Sequence, residues 1–177
     1  MIINKKERLQ ACMDHLKYVE DNHNKLHFPP DSWLMEMITI CDVTPRQTGA
    51  TTAIADLFDV EHDLYVSFNY TTVSEFNRLL CDLGKANTKR PKQLKYIYLQ
   101  SIPSDNEKLL KELADRLHIT LPKNLKFKFP PSIRGRHVDG IVWIDVGSFG
   151  MFQYHNVIYD MIKLLYAIYP HVKFIIT

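Results

Sequence analysis

Along the chain, hydrophobic positions recur first at helical spacing and then in short alternations of strand and helix. Residues 5–21 place Leu9, Met13, Leu16 and Val19 on one face and charges on the other, which predicts an amphipathic helix laid against a core. His23, His27 and the pair Pro29-Pro30 interrupt it, and Asp31 or Ser32 can cap a short helix through Met35. The segment Ile38 to Leu57 then runs from β-branched residues, through a turn built on Pro45 and Gly49, into an Ala-rich helical pattern. Leu64 to Phe68 predicts a strand, Val73 to Leu83 a helix with Phe76, Leu79, Leu80 and Leu83 inward, and Leu94 to Leu99 another strand. Asp105 to Leu117 predicts a helix. Leu125 to Phe129 alternates with period two and stops at Pro130-Pro131, a short strand with one wet face.

The run Ile141 to Ile144 is continuously apolar, which suits a strand buried on both faces, and Asp145 stands at its carboxyl end. A helix over His155 to Ala167 and a strand over Val172 to Ile176 complete the pattern. Repeated strand–helix units predict an α/β three-layer sandwich around a largely parallel sheet. Residues 1–177 are expected to form a single domain, with 1–30 a helical lead-in and 31–177 the α/β core. Ligands in such sheets bind beyond the carboxyl ends of the strands.

Composition changes this picture little. A net charge of +2 gives no global case for nucleic acid, and the three cysteines sit in apolar patterns, so reduced thiols and a cytoplasmic setting are expected. No apolar run reaches the length of a membrane span. One local excess stands out: residues 85–95 carry Lys85, Lys89, Arg90, Lys92 and Lys95 with no acid, readable as a solvated loop or as a phosphate-backbone contact.

Candidate chemistry concentrates in two blocks. In the first, a strand, a Gly-bearing loop and a helix follow in the order a phosphate cradle needs, because loop amides and the helix N-terminus point at an anion. Against G-x-x-x-x-G-K-[ST], Thr44 takes the first Gly position, Gly49 the second, and Thr51 the Mg²⁺ hydroxyl, whereas the lysine position holds Ala50. The second block offers Asp145 as the metal carboxylate, but the position after it, where a water-orienting acid would stand, is Val146. Gly49, Thr51 and Thr52 also make an ordinary turn and cap, and Asp145 could cap the turn before Gly147. His23 and His27 lack an acid or cysteine cluster and read as surface residues rather than zinc ligands. Gly147-Ser148-Phe149-Gly150 fails as a nucleophile elbow because of Val146.

Taken together, Thr44-Pro45-Arg46-Gln47-Thr48-Gly49, the strand Leu64 to Phe68 with Asn69, Thr71 and Thr72, Ile133-Arg134-Gly135-Arg136 ahead of Val138 to Asp145, and Phe174-Ile175-Ile176-Thr177 resemble, in order, the ATPase domain of viral and phage large terminase subunits. These are DNA-packaging motors within the P-loop NTPases. The resemblance spans most of residues 30–177 and implies a P-loop NTPase-like fold with ATP and Mg²⁺ as ligands. It implies a nucleotide site at Thr44, Pro45, Arg46, Gln47, Thr48, Gly49, Ala50, Thr51 and Thr52, Mg²⁺ at Thr51 and Asp145, and Arg46 and Asp145 as catalytic groups. Double-stranded DNA, packaging proteins or host proteins are the implied partners, in a host cytoplasm, with Lys89, Arg90, Lys92, Arg134 and Arg136 as candidate nucleic-acid contacts.

The departures from the family, Ala50 and Val146, lead to an expectation of weakened nucleotide binding and little or no hydrolysis, in a binding or regulatory module for DNA packaging or handling. One alternative is an active ATPase in which Arg46 supplies the missing charge and Asp42 or Asp160 positions water. Another is a non-enzymatic host-interaction factor that reuses the fold.

Overall fold

The computed structural model describes residues 4–23, 33–43, 49–67, 70–86, 96–100, 126–128 and 138–177. Helix α1 spans Lys5–Asp21 and starts at a reciprocal cap: the Glu7 N–H donates to Asn4 Oδ1 at 2.9 Å and the Asn4 N–H to the Glu7 carboxylate at 3.3 Å. That cap fixes Lys5 as the first helical residue. Leu9, Leu16 and Val19 are buried as the periodicity predicts, and Lys5 is buried with them.

The elements that follow are a π-helical turn Trp33–Met37, β1 (Thr39–Cys41), α2 (Ala50–Leu57), β2 (Leu64–Ser67), α3 (Tyr70–Asp82), β3 (Tyr96–Gln100), β4 (Lys126–Lys128), β5 (Ile141–Asp145), α4 (Gly147–Ile168) and β6 (Lys173–Ile176). The strands form one sheet in the order β1-β6-β5-β2-β3-β4. Every pairing is parallel except β3 with β4. The α/β class and the largely parallel sheet are those the alternating pattern predicts.

Helices cover both faces. Alternate strand residues explain how: Tyr65, Ile141, Trp143 and Ile175 pack with residues of α1, α2 and α3, whereas Leu64, Val66, Val142, Ile144, Phe174 and Ile176 pack with α4. Each fully buried large side chain in these layers contributes roughly 1.5–3 kcal/mol relative to exposure. From β1 the chain passes over β6 and β5 to reach β2 with α2 on one face; from β5 it turns back through α4 to β6 on the other. Reversing both the direction and the face keeps the crossovers right-handed. The connections leaving β1 and β5 therefore lie on opposite faces of the sheet, and the switch between them falls at the carboxyl edge, where sheets of this kind bind ligands.

Four expectations are corrected. Helix α3 begins at Tyr70 rather than Val73, because burial of Val73, Phe76 and Leu80 outweighs the weak helix preference of its first threonines. Leu83 is 45% exposed, since α3 ends at Asp82 and Gly84, at φ 70°, turns the chain away. Helix α4 begins at Gly147, eight residues before His155. Its glycines cost about 1 kcal/mol each against alanine, and packing of Ile158, Met161, Ile162 and Leu165 sets the helix regardless. The short helix expected through Met35 is instead a π turn, closed by the Ile38 N–H on the Trp33 carbonyl. The helix expected over 105–117 lies outside the described residues, as do residues 24–32 with the candidate caps Asp31 and Ser32. No described helix is long and apolar enough to cross a membrane, and the three cysteines are free.

Candidate functional site

At the carboxyl edge the first feature is the start of α2. Gly49 precedes it at φ 74°, ψ 24°, a left-handed conformation that glycine adopts without Cβ strain. Its carbonyl accepts the Ala53 N–H at 2.9 Å, so the first N–H groups of α2 keep no partner within the helix. Ala50 and Thr51 are half-buried, and Thr52 is exposed. The chain enters this region from Asp42, whose N–H donates to Ile176 O at 2.8 Å and so anchors the end of β1 beside β6.

The second feature is Asp145, the last residue of β5. Thr51 Oγ1 donates to its Oδ2 at 2.8 Å, and the Tyr65 hydroxyl donates to the same oxygen at 2.7 Å. The helix that opens at Ala50 and the strand that ends at Asp145 are thus joined through two side chains 94 residues apart. Tyr65 is fixed from below, stacked on Phe76 with ring centroids 3.8 Å apart, and Phe76 meets Phe58 edge-on. Burial pushes the Asp145 carboxyl up, against the opposing effect of the two hydroxyls and of the positive charge on Lys5. Burial, and then the Asp145 charge, hold the Tyr65 phenol well above its ordinary value, so it remains a donor. Comparison of the chain with protein-family models, curated proteins and solved structures gives no match.

Thr177, 1% exposed, follows β6 directly at the same edge. Its backbone is paired on both sides, with its N–H on Ile144 O at 2.8 Å and its carbonyl accepting the Val146 N–H at 2.9 Å. Its buried Oγ1 has no hydrogen-bond partner among the described residues. Ser67, 1% exposed, ends β2 in register with Asp145.

The structure brings together Gly49, Ala50, Thr51, Thr52 and Asp145. Thr44, Pro45, Arg46, Gln47 and Thr48 lie outside the described residues, as do Lys89, Arg90, Lys92, Arg134 and Arg136. Two suggested water-positioning acids are corrected. Asp42 is buried and bound by Lys5 and Arg8. Asp160 lies thirteen residues into α4, roughly 20 Å along its axis from the helix start. Neither is placed to orient water beside Asp145.

Residues that pattern reading passed over are Lys5, Arg8, Tyr65, Ser67 and Thr177. Lys5 had a legible signal: it precedes Leu9 by four on the apolar stripe of α1, where a lysine needs a buried partner. Tyr65 had another, a hydroxyl between the apolar Leu64 and Val66.

The donor set also fits Mg²⁺. A hydroxyl and a carboxylate are hard oxygen ligands, and Mg²⁺ binds through few protein oxygens while water and substrate phosphate fill the rest. No group of three or more His, Cys, Asp or Glu side chains converges among the described residues, so a metal held by protein ligands alone has no such cluster there.

Proposed function

We propose that this chain is a terminase-like protein of the P-loop NTPase fold, with a retained but weakened phosphate site, acting as a binding or regulatory module in DNA packaging or DNA handling. The contact between Thr51 and Asp145 carries the reading: it joins the hydroxyl and the carboxylate that an Mg²⁺-nucleotide site requires, at the carboxyl edge of a parallel sheet. In this reading the N–H groups opening α2 receive phosphate oxygens, Gly49 lets the backbone approach them closely, and Thr51 and Asp145 face the metal. When bound, Mg²⁺ offsets phosphate charge. Tyr65 holds the Asp145 carboxylate in place from beneath.

Weakness follows from what replaces the usual groups. Each charge-assisted hydrogen bond lost with a lysine at position 50 is worth roughly 1.5–3 kcal/mol, enough to lower affinity tenfold or more. Without a positioned base, rate falls by on the order of a hundred- to ten-thousandfold. Asp42, buried and paired with two cations, and Asp160, far along α4, support the weak reading over an active motor that would use either of them.

Calorimetric titration with Mg²⁺-ATP, with and without a double-stranded DNA fragment, tests the proposal. Expected are weak binding, no release of phosphate, loss of binding in Thr51→Ala, and about tenfold tighter binding in Ala50→Lys. Binding indifferent to both substitutions would overturn it.

A further inference from the structure

We infer that the cation missing from position 50 is supplied by α1: Lys5, with Arg8 beside it, holds positive charge at Asp42, just past the end of β1, and the phosphates of a bound nucleoside triphosphate are drawn to it. This rests on the nucleotide-site reading above.

The geometry of Lys5 is that of a cation set in place before any ligand arrives. Its side chain is 5% exposed, and Nζ donates to the Asp42 carbonyl at 2.6 Å and to Asp42 Oδ2 at 3.0 Å. Arg8 binds the other carboxylate oxygen while its own side chain stays 45% exposed. An ammonium has three donors. Two are used, and the third meets no acceptor among the described residues. Two cations thus gather on the single carboxylate of Asp42, and the Lys5 ammonium is held where water is largely excluded. The other ion pairs of α1 among the described residues, Lys6 with Asp56 and Glu20 with Lys173, match one charge with one charge.

Position supports the same assignment. Asp42 ends β1's path beside β6, and Thr177 with its unpartnered Oγ1 follows β6 directly. The Asp42 N–H donates to Ile176 O, and Thr177, the next residue, accepts the Val146 N–H, so the ammonium bound to Asp42 stands at the same carboxyl edge as the Thr51 and Asp145 pair. The Asn4 cap and the burial of Leu9 fix the first turn of α1, and the Lys6–Asp56 pair ties α1 to α2. Little side-chain entropy remains to be lost on binding.

Calorimetry of the full chain with Mg²⁺-ATP decides the matter. Lys5→Met is expected to weaken binding about tenfold or more, and adding Ala50→Lys to that variant to restore it. Unchanged affinity in a folded Lys5→Met variant overturns the inference and leaves the nucleotide site standing. Absence of binding in the unmodified chain removes both. Should Lys5→Met not fold, Asp42→Asn serves in its place: it leaves both cations uncompensated, so binding is expected to tighten several-fold, and unchanged or weaker binding overturns the inference.

Discussion

Two aspartates, Asp63 buried and Asp145 half-buried, occupy opposite ends of the same pair of strands. Asp63 stands just before β2, at the amino edge, and accepts the Ile141 N–H at 2.7 Å, the Trp143 indole N–H at 2.8 Å and the Asp59 N–H at 3.0 Å. Asp145 ends β5 at the carboxyl edge and accepts from two hydroxyls. Backbone amides and a packed indole cannot turn away. A threonine hydroxyl can rotate and exchange its partner for a metal or water. The first carboxylate is therefore a lock between strands, and the second is held by exchangeable donors at the carboxyl edge.

Breaking the lock has the largest expected effect. Asp63→Ala leaves three buried or half-buried N–H donors without an acceptor, at about 1–3 kcal/mol each, and chemical denaturation should show a loss of several kcal/mol. Gly140→Ala attacks the same point sterically. A Cβ there would lie 2.3 Å from Asp63 Oδ1 and 3.1 Å from the His62 backbone, so the carboxylate must leave its donors. If either variant denatures like the parent chain, Asp63 is not a lock.

Asp145→Asn should behave in the opposite way. The amide oxygen still accepts from Thr51 and Tyr65, and a charge that burial disfavours is removed, so stability at neutral pH is expected to hold or rise slightly. Mg²⁺-dependent ATP affinity should fall tenfold or more, an effect that titration reads directly. Acidification sharpens the contrast. Burial raises both carboxyls above their unfolded value, so each favours folding most below the ordinary carboxylate pKa and loses that contribution as pH rises through its folded value. The Asn variant should lose the part of that slope that belongs to Asp145.

Gly49→Ala separates strain from contact. Nothing lies within 4 Å of the added Cβ, so the cost is that of a left-handed φ, about 1 kcal/mol. Gly84→Ala, equally open at φ 70°, should cost the same in denaturation yet leave ATP binding intact. Equal effects of the two substitutions on binding would show that Gly49 does no more than turn the chain.

What the sequence made legible was the backbone. Uninterrupted apolar runs such as Ile141 to Ile144 suit strands covered on both faces, and a glycine between a strand and an Ala-rich helix marks a left-handed turn. Thr51 and Asp145 could be paired in advance because spacing located them at the ends of their elements that face the carboxyl edge. That Tyr65 would meet Asp145, and Lys5 and Arg8 would meet Asp42, was not readable in this way. Tyr65, Lys5 and Arg8 reach them from elements whose apolar periodicity describes the core, and periodicity says nothing about which polar tip crosses from one layer to another. The start of α4 was missed for a related reason: local propensity marks Gly147 and Gly150 as turn residues, and tertiary packing decides otherwise.

The smallest effect lies at the locked end. The exposed His62 ring meets Asp139 at 2.7 Å, while the His62 carbonyl accepts the Asp139 and Gly140 N–H groups next to the Asp63 lock. Its hydrogen bond to Asp139, then that carboxylate's charge and that of Asp59, raise the His62 pKa. A raised folded value means that the contribution is complete below the unfolded pKa, about 6.5, and is lost as pH rises through the folded value. The melting temperature of the unmodified chain should therefore drift slightly downward across neutral pH, and His62→Gln should flatten that drift without touching ATP affinity. If the drift survives His62→Gln but disappears in Asp145→Asn, the titrating group belongs to the carboxyl edge, and the division between a locked end and an exchangeable end fails.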